Sequence, residues 1–239
     1  MSKSAFMVFV VLTITSIHTA FAAIALDRTR VIYEGDNKAI SLNISNENKQ
    51  LPYLAQAWVE DHGQQKVAGP LIVTPPIQRL EPGAKSMVRI SALPEAKALP
   101  QDRETLFYFN LREIPPRSDK SNVMQIALQT KVKLFYRPAA IVKKPGAVWQ
   151  NQLVLHKTAT GYEIENPTPY YITVAGIAAR GKGRKDNGFV PVTLEPKSRT
   201  DVKSMVFDAP VITYINDYGG RPELVFTCVQ QRCSANGPR

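Results

Sequence analysis

The chain has 239 residues, of which 44% are apolar, and 30 basic against 20 acidic side chains give it a formal net charge of +10. The basic residues are scattered, apart from a short cluster at 180–185 between glycines that has the character of a solvated loop. No RNA-binding or helix-turn-helix signature accompanies them, so we expect no nucleic-acid partner.

The first 22 residues have the pattern of an export signal. Lys3 supplies the positive start, residues 5–17 are almost uninterruptedly apolar, and Ala20 and Ala22 put small residues at both key positions of a cleavage site. A membrane anchor is the alternative, but a span needs about 20 apolar residues, and the apolar run at 5–17 is shorter than that. We therefore predict cleavage after Ala22 and export of the remaining 217 residues (239 minus 22).

The exported part alternates apolar and polar residues in short segments separated by proline or glycine. Ile40, Leu42 and Ile44 alternate with polar residues, and residues 106–111 are aromatic and nearly continuously apolar. Several short runs of this kind at regular spacing are typical of β-sandwiches, and no long window keeps a helical period. The sequence predicts an all-β fold, and its length suits two ordinary domains or one large one.

The longest extended pattern covers residues 122–136, with apolar residues on one parity and mainly glutamine and lysine on the other. Fifteen residues exceed the usual strand length of about 5 to 6, so we do not expect pairing and burial along the whole segment. A strand facing its own core is the ordinary interpretation. The preceding loop at 113–121, with two prolines and several charges, instead favours an exposed edge. Because such an edge invites aggregation unless a partner pairs with it, we predict strand addition to another protein.

Basic residues alternate at two places. Lys131 and Lys133 lie on the polar parity of the long segment, and Arg28 and Arg30 follow the predicted cleavage site. Each alone is more typical of a solvated face. A lysine and an arginine in one cleft would bind a carboxylate, but their spacing leaves open whether they meet.

A domain boundary is predicted after Pro138. Residues 139–146 (AAIVKKPG) have the composition of a linker, which gives domains at 23–138 and 147–239. In the second domain we predict strands at 152–155, 162–165, 170–176, 200–206, 211–215 and 223–228. Cys228 and Cys233 are the only two cysteines, and in an exported chain we expect them to be disulfide-bonded.

Motifs for catalysis are absent. The sequence has no phosphate-binding loop, nucleophile elbow or His-Glu-x-x-His motif, and after export only His62 and His156 remain, each alone in its surroundings. We predict no enzymatic activity, no cofactor and no metal site.

Seven segments resemble the PapD-type periplasmic pilus chaperones. They are LDRTRVIYEG (26–35), QLPYLAQAWVE (50–60), TPPIQRLEPGAKSMVRI (74–90), LPQDRETLFYFNLREIPPRS (99–118), LQTKVKLFYRPAAI (128–141), IENPTPYYITV (164–174) and INDYGGRPEL (215–224). The resemblance implies two immunoglobulin-like β-sandwiches in a boomerang arrangement with a cleft between them. It is weakest at 178–192.

The resemblance also implies the partners. Arg30 and Lys133 match the pair that anchors the C-terminal carboxylate of a pilin, and Met124, Ile126 and Leu128 match the residues that enter the pilin groove. Pilins lack the last strand of their own sandwich, and the chaperone lends its strand until delivery to the outer-membrane usher. The free chaperone could also hide this strand by self-association.

Further matches are structural. Glu104, Arg137 and Asp217 correspond to a salt-bridge network between the domains, and Pro75 lies in a family turn as a candidate cis proline. Cys228 and Cys233 match a disulfide of the second domain in part of the family.

Two other classes of exported β-sandwich protein are alternatives. An adhesin or carbohydrate-binding sandwich would expose aromatic platforms, which the contexts of Trp58 and Trp149 do not favour. A pilin would show one incomplete domain and an N-terminal donor extension.

Overall fold

A computed structural model describes residues 22–120, 122–181 and 185–235. Within these ranges the chain forms seventeen strands and three short 3₁₀ turns, packed as two β-sandwiches. The all-β prediction is confirmed. The predicted export signal lies outside the described residues except for Ala22. None of the helical turns in the described ranges has the length and apolar character that crossing a membrane would need.

The first sandwich contains nine strands in two sheets. These are β1 (Ile24–Leu26), β2 (Arg30–Glu34), β3 (Ala39–Asn46), β4 (Tyr53–Glu60), β5 (Leu71–Thr74), β6 (Ile77–Leu80), β7 (Lys85–Ala92), β8 (Thr105–Ile114) and β9 (Gln129–Arg137). One sheet has the order β1-β3-β7-β5 and the other β2-β9-β8-β4-β6. The predicted alternation in β3 is confirmed, since Leu42 and Ile44 are buried and pair with Val88 and Ser86 of β7. The Thr74–Pro75 peptide bond, at the end of β5, is cis.

The N-terminal segment contributes to both sheets of this sandwich. β1 pairs antiparallel with β3 in one sheet, and β2 pairs parallel with β9 in the other. The parallel register places Arg30 opposite Lys133 and Glu34 opposite Arg137. The first described strands and the last strand of the domain are therefore neighbours.

β9 is shorter than the extended pattern at 122–136. It begins at Gln129, opposite Arg112 of β8, and ends at Arg137. One further backbone hydrogen bond joins the Glu113 amide to the Leu128 carbonyl at 3.0 Å. β8 ends at Ile114, and Pro115 and Pro116 follow, which have no N–H group to continue the ladder. Described residues 122–128 consequently belong to no strand.

The second sandwich contains eight strands. These are β10 (Val154–Thr158), β11 (Gly161–Asn166), β12 (Ile172–Ala179), β13 (Val192–Leu194), β14 (Ser198–Lys203), β15 (Pro210–Ile215), β16 (Glu223–Val229) and β17 (Arg232–Ala235). β16 links the two faces, because its first residues pair with β15 and its last residues pair with β17.

The predicted strands of this half differ in accuracy. Those at 162–165, 211–215 and 223–228 are confirmed. Those at 152–155, 170–176 and 200–206 are displaced by two residues at their first position and by three at their last, and β13 and β17 were not predicted. The displacement before β10 has a local cause, since Gln150–Gln152 forms a 3₁₀ turn.

A disulfide joins Cys228 and Cys233, which lie directly opposite each other in the β16–β17 hairpin. Cys233 is fully buried in the core of the second sandwich. Because the bridge closes so short a loop, its chain-entropy contribution is about 2 kcal/mol. The disulfide therefore cross-links a hairpin that is already held by β-sheet hydrogen bonds.

Candidate functional site

Arg30 and Lys133 are neighbours on adjacent strands. The parallel β2–β9 register places them side by side, and both side chains are half-buried. Among the described residues, neither makes an ion pair with a carboxylate. Nη1 of Arg30 donates a 3.2 Å hydrogen bond to the Ile215 carbonyl, whereas its buried Nε has no hydrogen-bond partner in the structure. The two cations therefore keep free donors.

The electrostatics of this pair favour an anion. Burial lowers the pKa of Lys133, and the neighbouring Arg30 charge lowers it further. Burial likewise lowers the pKa of the Arg30 guanidinium, although the charges of Asp217 and Glu104 oppose that effect. Two like charges that have lost part of their hydration gain most from a shared counter-ion. A carboxylate is suited to this place because arginine offers a planar fork of donors and lysine a point charge.

A tight turn of the second sandwich forms one wall beside Arg30. The cavity between them has a volume of about 400 Å³, and Asp217 and Tyr218 line it. Gly219 has φ +82°, and a Cβ there would lie 2.6 Å from Oγ1 of Thr29. Only glycine fits this approach without displacing Thr29. The close contact fixes the turn against the segment that leads into β2.

An apolar segment precedes β9. Met124, Ile126 and Leu128 are 86%, 66% and 46% exposed, whereas Val132 and Leu134, on the same parity, are buried within β9. The side chain of Gln125, on the other parity, donates to the Pro116 carbonyl. One line of apolar residues therefore begins in solvent and continues into the core. A contiguous exposed apolar line of this kind is typical of a surface that binds a partner.

Arg137, at the end of β9, lies between two carboxylates from different parts of the chain. Its Nε donates to Glu104 Oε1 at 2.8 Å, and its Nη1 donates to Asp217 Oδ2 at 2.8 Å. The rings of Trp149 and Tyr170 each lie 5.1 Å from the guanidinium carbon. The structure thus brings the three predicted charges together, and the aromatic contacts were not anticipated from the sequence.

Burial determines the titration of this network. It raises the pKa of Glu104 to about 7, against the opposing effects of Arg137 and of the Tyr171 amide, which donates to Glu104 Oε2 at 2.7 Å. Desolvation would lower the pKa of Arg137, but its hydrogen bonds and charge interactions with Asp217 and Glu104 outweigh this and raise it. The raised pKa of Glu104 means that its charged form is disfavoured in the fold, whereas the raised pKa of Arg137 means that its charged form is favoured. Because the guanidinium is charged at any ordinary pH, Glu104 is the group that titrates.

A pH dependence follows from the raised pKa of Glu104. A carboxyl group whose folded pKa exceeds its unfolded value stabilises the fold at low pH, and this contribution is lost as the pH rises through the folded value of about 7. We expect the unfolding free energy to fall more steeply between about pH 4.5 and 7, the unfolded and folded pKa values of Glu104, in the wild type than in Glu104→Gln. Urea denaturation across this range measures both slopes, and equal slopes would contradict the prediction.

Lys131 differs from Lys133, although the sequence pattern treats them alike. Lys131 makes a 2.7 Å ion pair with the buried carboxylate of Glu60, which also accepts a 2.9 Å hydrogen bond from Trp58 Nε1. Burial would raise the pKa of Glu60, but Lys131 and Trp58 together hold it below its ordinary value. The Lys131 charge is therefore neutralised internally, and Lys133 is the lysine available to a ligand.

The two tryptophans, both among the described residues, do not form an exposed platform of the kind expected for carbohydrate binding. Trp58 has the Arg112 guanidinium 5.3 Å from its ring, and Trp149 is buried against Tyr170. Among the described residues, no group of three or more histidine, cysteine, aspartate or glutamate side chains could hold a metal ion.

Two β-sandwiches, an unpaired apolar segment and an adjacent cation pair define a protein that binds another polypeptide by adding a strand to it. Comparison with known families agrees with this class. The family described as "Pili and flagellar-assembly chaperone, PapD N-terminal domain" matches residues 23–142, and "Pili assembly chaperone PapD, C-terminal domain" matches residues 148–226. The chain belongs to the PapD family of pilus assembly chaperones, and its function is that of a chaperone, not an enzyme.

Individual relatives support the same assignment. The chain is 61% identical to the chaperone protein PapD of Escherichia coli over 90% of each chain, and 44% identical to the chaperone protein PmfD of Proteus mirabilis over 93% of this chain and 90% of that one. A solved structure of the Salmonella enterica SafB chaperone in complex with the SafA pilin matches with a TM-score of 0.75 and 27% identity, covering 88% of this chain and 98% of that one.

Proposed function

We propose that the exported chain captures pilus subunits in the periplasm by donor-strand complementation and delivers them to an outer-membrane usher. In this proposal the signal is removed after Ala22, and the domains at 23–138 and 147–239 hold the client at their junction. The main support for this proposal is that the exposed apolar segment leads directly into β9, the strand that holds Lys133. The SafB structure, in which a related chaperone holds a pilin, supports the choice of client.

The cation pair and the apolar segment have complementary roles in this proposal. Arg30 and Lys133 bind the C-terminal carboxylate of the client and so fix where its last strand starts. Register matters because a slip of one residue would turn Met124, Ile126 and Leu128 away from the groove of the client. The apolar side chains then contribute burial at about 25 cal/mol per Å², from which the cost of association must be subtracted.

The proposal is tested at Ile126, the middle one of the three exposed apolar residues of the segment. Ile126→Asp should lower the yield of a co-expressed pilus subunit recovered with the chaperone by at least tenfold, because a carboxylate would enter an apolar groove without a partner. Gln125→Asp is the matched control, since it places the same charge one position away on the opposite parity. Both variants are exported, purified through the chaperone, and compared for the amount of bound subunit.

The control decides the interpretation. Equal losses in Ile126→Asp and Gln125→Asp would show that charge near the segment, and not insertion of the apolar parity, governs capture. Undiminished recovery with Ile126→Asp would contradict donor-strand binding by this segment.

A further inference from the structure

Glu113 is a buried carboxylate that the chaperone site does not use. It lies on the inward parity of β8 with Phe109 and Leu111, and only 5% of the residue is exposed. Its Oε2 accepts a 3.0 Å hydrogen bond from the backbone amide of Ile24, in the first described strand. An ionised carboxylate in such a place is costly unless a cation or several donors compensate it.

No side chain supplies that cation. Among the described residues, no lysine, arginine or histidine makes an ion pair with Glu113. Glu47 also lies at this end of β1; its side chain is exposed, and its amide donates to the Ala23 carbonyl at 2.6 Å. Glu47 is an acid and cannot neutralise Glu113.

Processing of the N-terminus generates a cation at the right place. Hydrolysis of the Ala22–Ala23 bond by a signal peptidase consumes one water, leaves a carboxylate on Ala22 and frees the amine of Ala23, which takes up a proton at neutral pH. Ala23 is buried and directly precedes Ile24, whose amide already contacts Glu113. The new ammonium group therefore belongs to the residue next to Ile24, whose amide binds the carboxylate of Glu113.

We propose that the α-ammonium group of processed Ala23 binds the buried carboxylate of Glu113, so that removal of the export signal completes the attachment of β1 to the first sandwich. The inference rests on the cleavage site in the proposed function. In the uncleaved chain the same nitrogen is a neutral amide and offers no charge. Since β2 follows β1 after three residues, the attachment also secures the strand that carries Arg30.

The test compares four proteins: the mature chain starting at Ala23, the same chain with Gly-Ser added before Ala23, and both forms of Glu113→Gln. We expect the extension to lower the urea midpoint when Glu113 is present and to have little effect in Glu113→Gln. In the mature wild type, NMR titration should find the pKa of the α-amino group above its ordinary range, because the carboxylate stabilises the ammonium form. The titration needs no variant, so it remains decisive if Glu113→Gln does not fold.

Glu47→Gln is the control for a general effect of nearby acids, and it should keep the difference between the mature and extended forms. An unshifted α-amino pKa, or equal destabilisation by Gly-Ser with and without Glu113, would overturn the inference. The intact mass of the exported protein tests the cleavage site separately. If cleavage occurs elsewhere, that part of the proposed function fails, whereas the pairing can still be measured on a chain released at Ala23 by a specific protease.

Discussion

Lys133→Ala is expected to weaken binding of a peptide that carries the C-terminal strand of a pilus subunit by about 30-fold to several thousand-fold, and Arg30→Ala by a similar factor. This range corresponds to about 2 to 5 kcal/mol, the usual cost of removing one member of a buried charge pair. The cost is large because the remaining cation and the carboxylate stay partly desolvated. Isothermal titration with the purified chaperone measures it directly.

The peptide itself provides a second test of the same contact. Amidation of its C-terminus removes the charge, so the amidated peptide should bind the wild type much more weakly than the acid. Lys133→Ala should discriminate far less between the two peptides. Arg28→Ala is the control for a general loss of positive charge, because Arg28 is already paired with Asp27 at 2.7 Å. Normal binding of the acid peptide by Arg30→Ala and Lys133→Ala would refute the anchor.

Arg137→Leu is expected to destabilise the protein by about 3 to 5 kcal/mol, which is typical when one partner of a buried ion pair is removed. The substitution leaves the Glu104 carboxylate, with a side chain only 2% exposed, and the Asp217 carboxylate without their shared cation. It also removes the guanidinium from its place beside the rings of Trp149 and Tyr170, which pack against each other. The free energy of unfolding in urea is the measurement.

Comparison with Arg199 separates the effect of burial on stability from the effect of ion pairing itself. Arg199 also contacts two carboxylates, Glu163 and Glu165, but its side chain is 57% exposed. Arg199→Leu should therefore cost no more than about 1 kcal/mol. Adding Glu104→Gln to Arg137→Leu should restore part of the lost stability, because it removes a carboxyl group that must either stay charged without its cation or take up a proton to remain buried. Similar losses for Arg137→Leu and Arg199→Leu would contradict this account.

Local patterns were sufficient for much of the fold. The alternation in β3 and the long run at 122–136 depend only on which face of a strand meets the core, and this is visible in neighbouring residues. The beginning of β9 was harder to predict. The position at which pairing with β8 starts depends on where β8 ends, at Ile114 before two prolines, and apolar parity alone does not contain that information.

The site needed information beyond local pattern. Lys131 and Lys133 have the same parity, but only Lys131 meets a buried glutamate, because Glu60 lies far away in sequence on β4. Resemblance selected Lys133 as a member of the carboxylate-binding pair, and this role stays a prediction; in the structure Lys133 makes no ion pair with any described carboxylate. The rings around Arg137 and the Ile215 carbonyl at Arg30 come from the second sandwich, and no pattern in the first could indicate them.

The parallel pairing of β2 with β9 has a consequence for the order of folding. Arg30 and Lys133 are separated by 103 positions along the chain (133 minus 30), so their contact closes nearly the whole first domain. Contacts of such long sequence separation carry a high entropic cost of chain closure, which makes them slow to form. The Arg30–Lys133 pair therefore cannot form before residue 133 has been synthesised and β9 has paired with β2. In the proposed function, a chaperone molecule can receive a client only when its own first domain is complete.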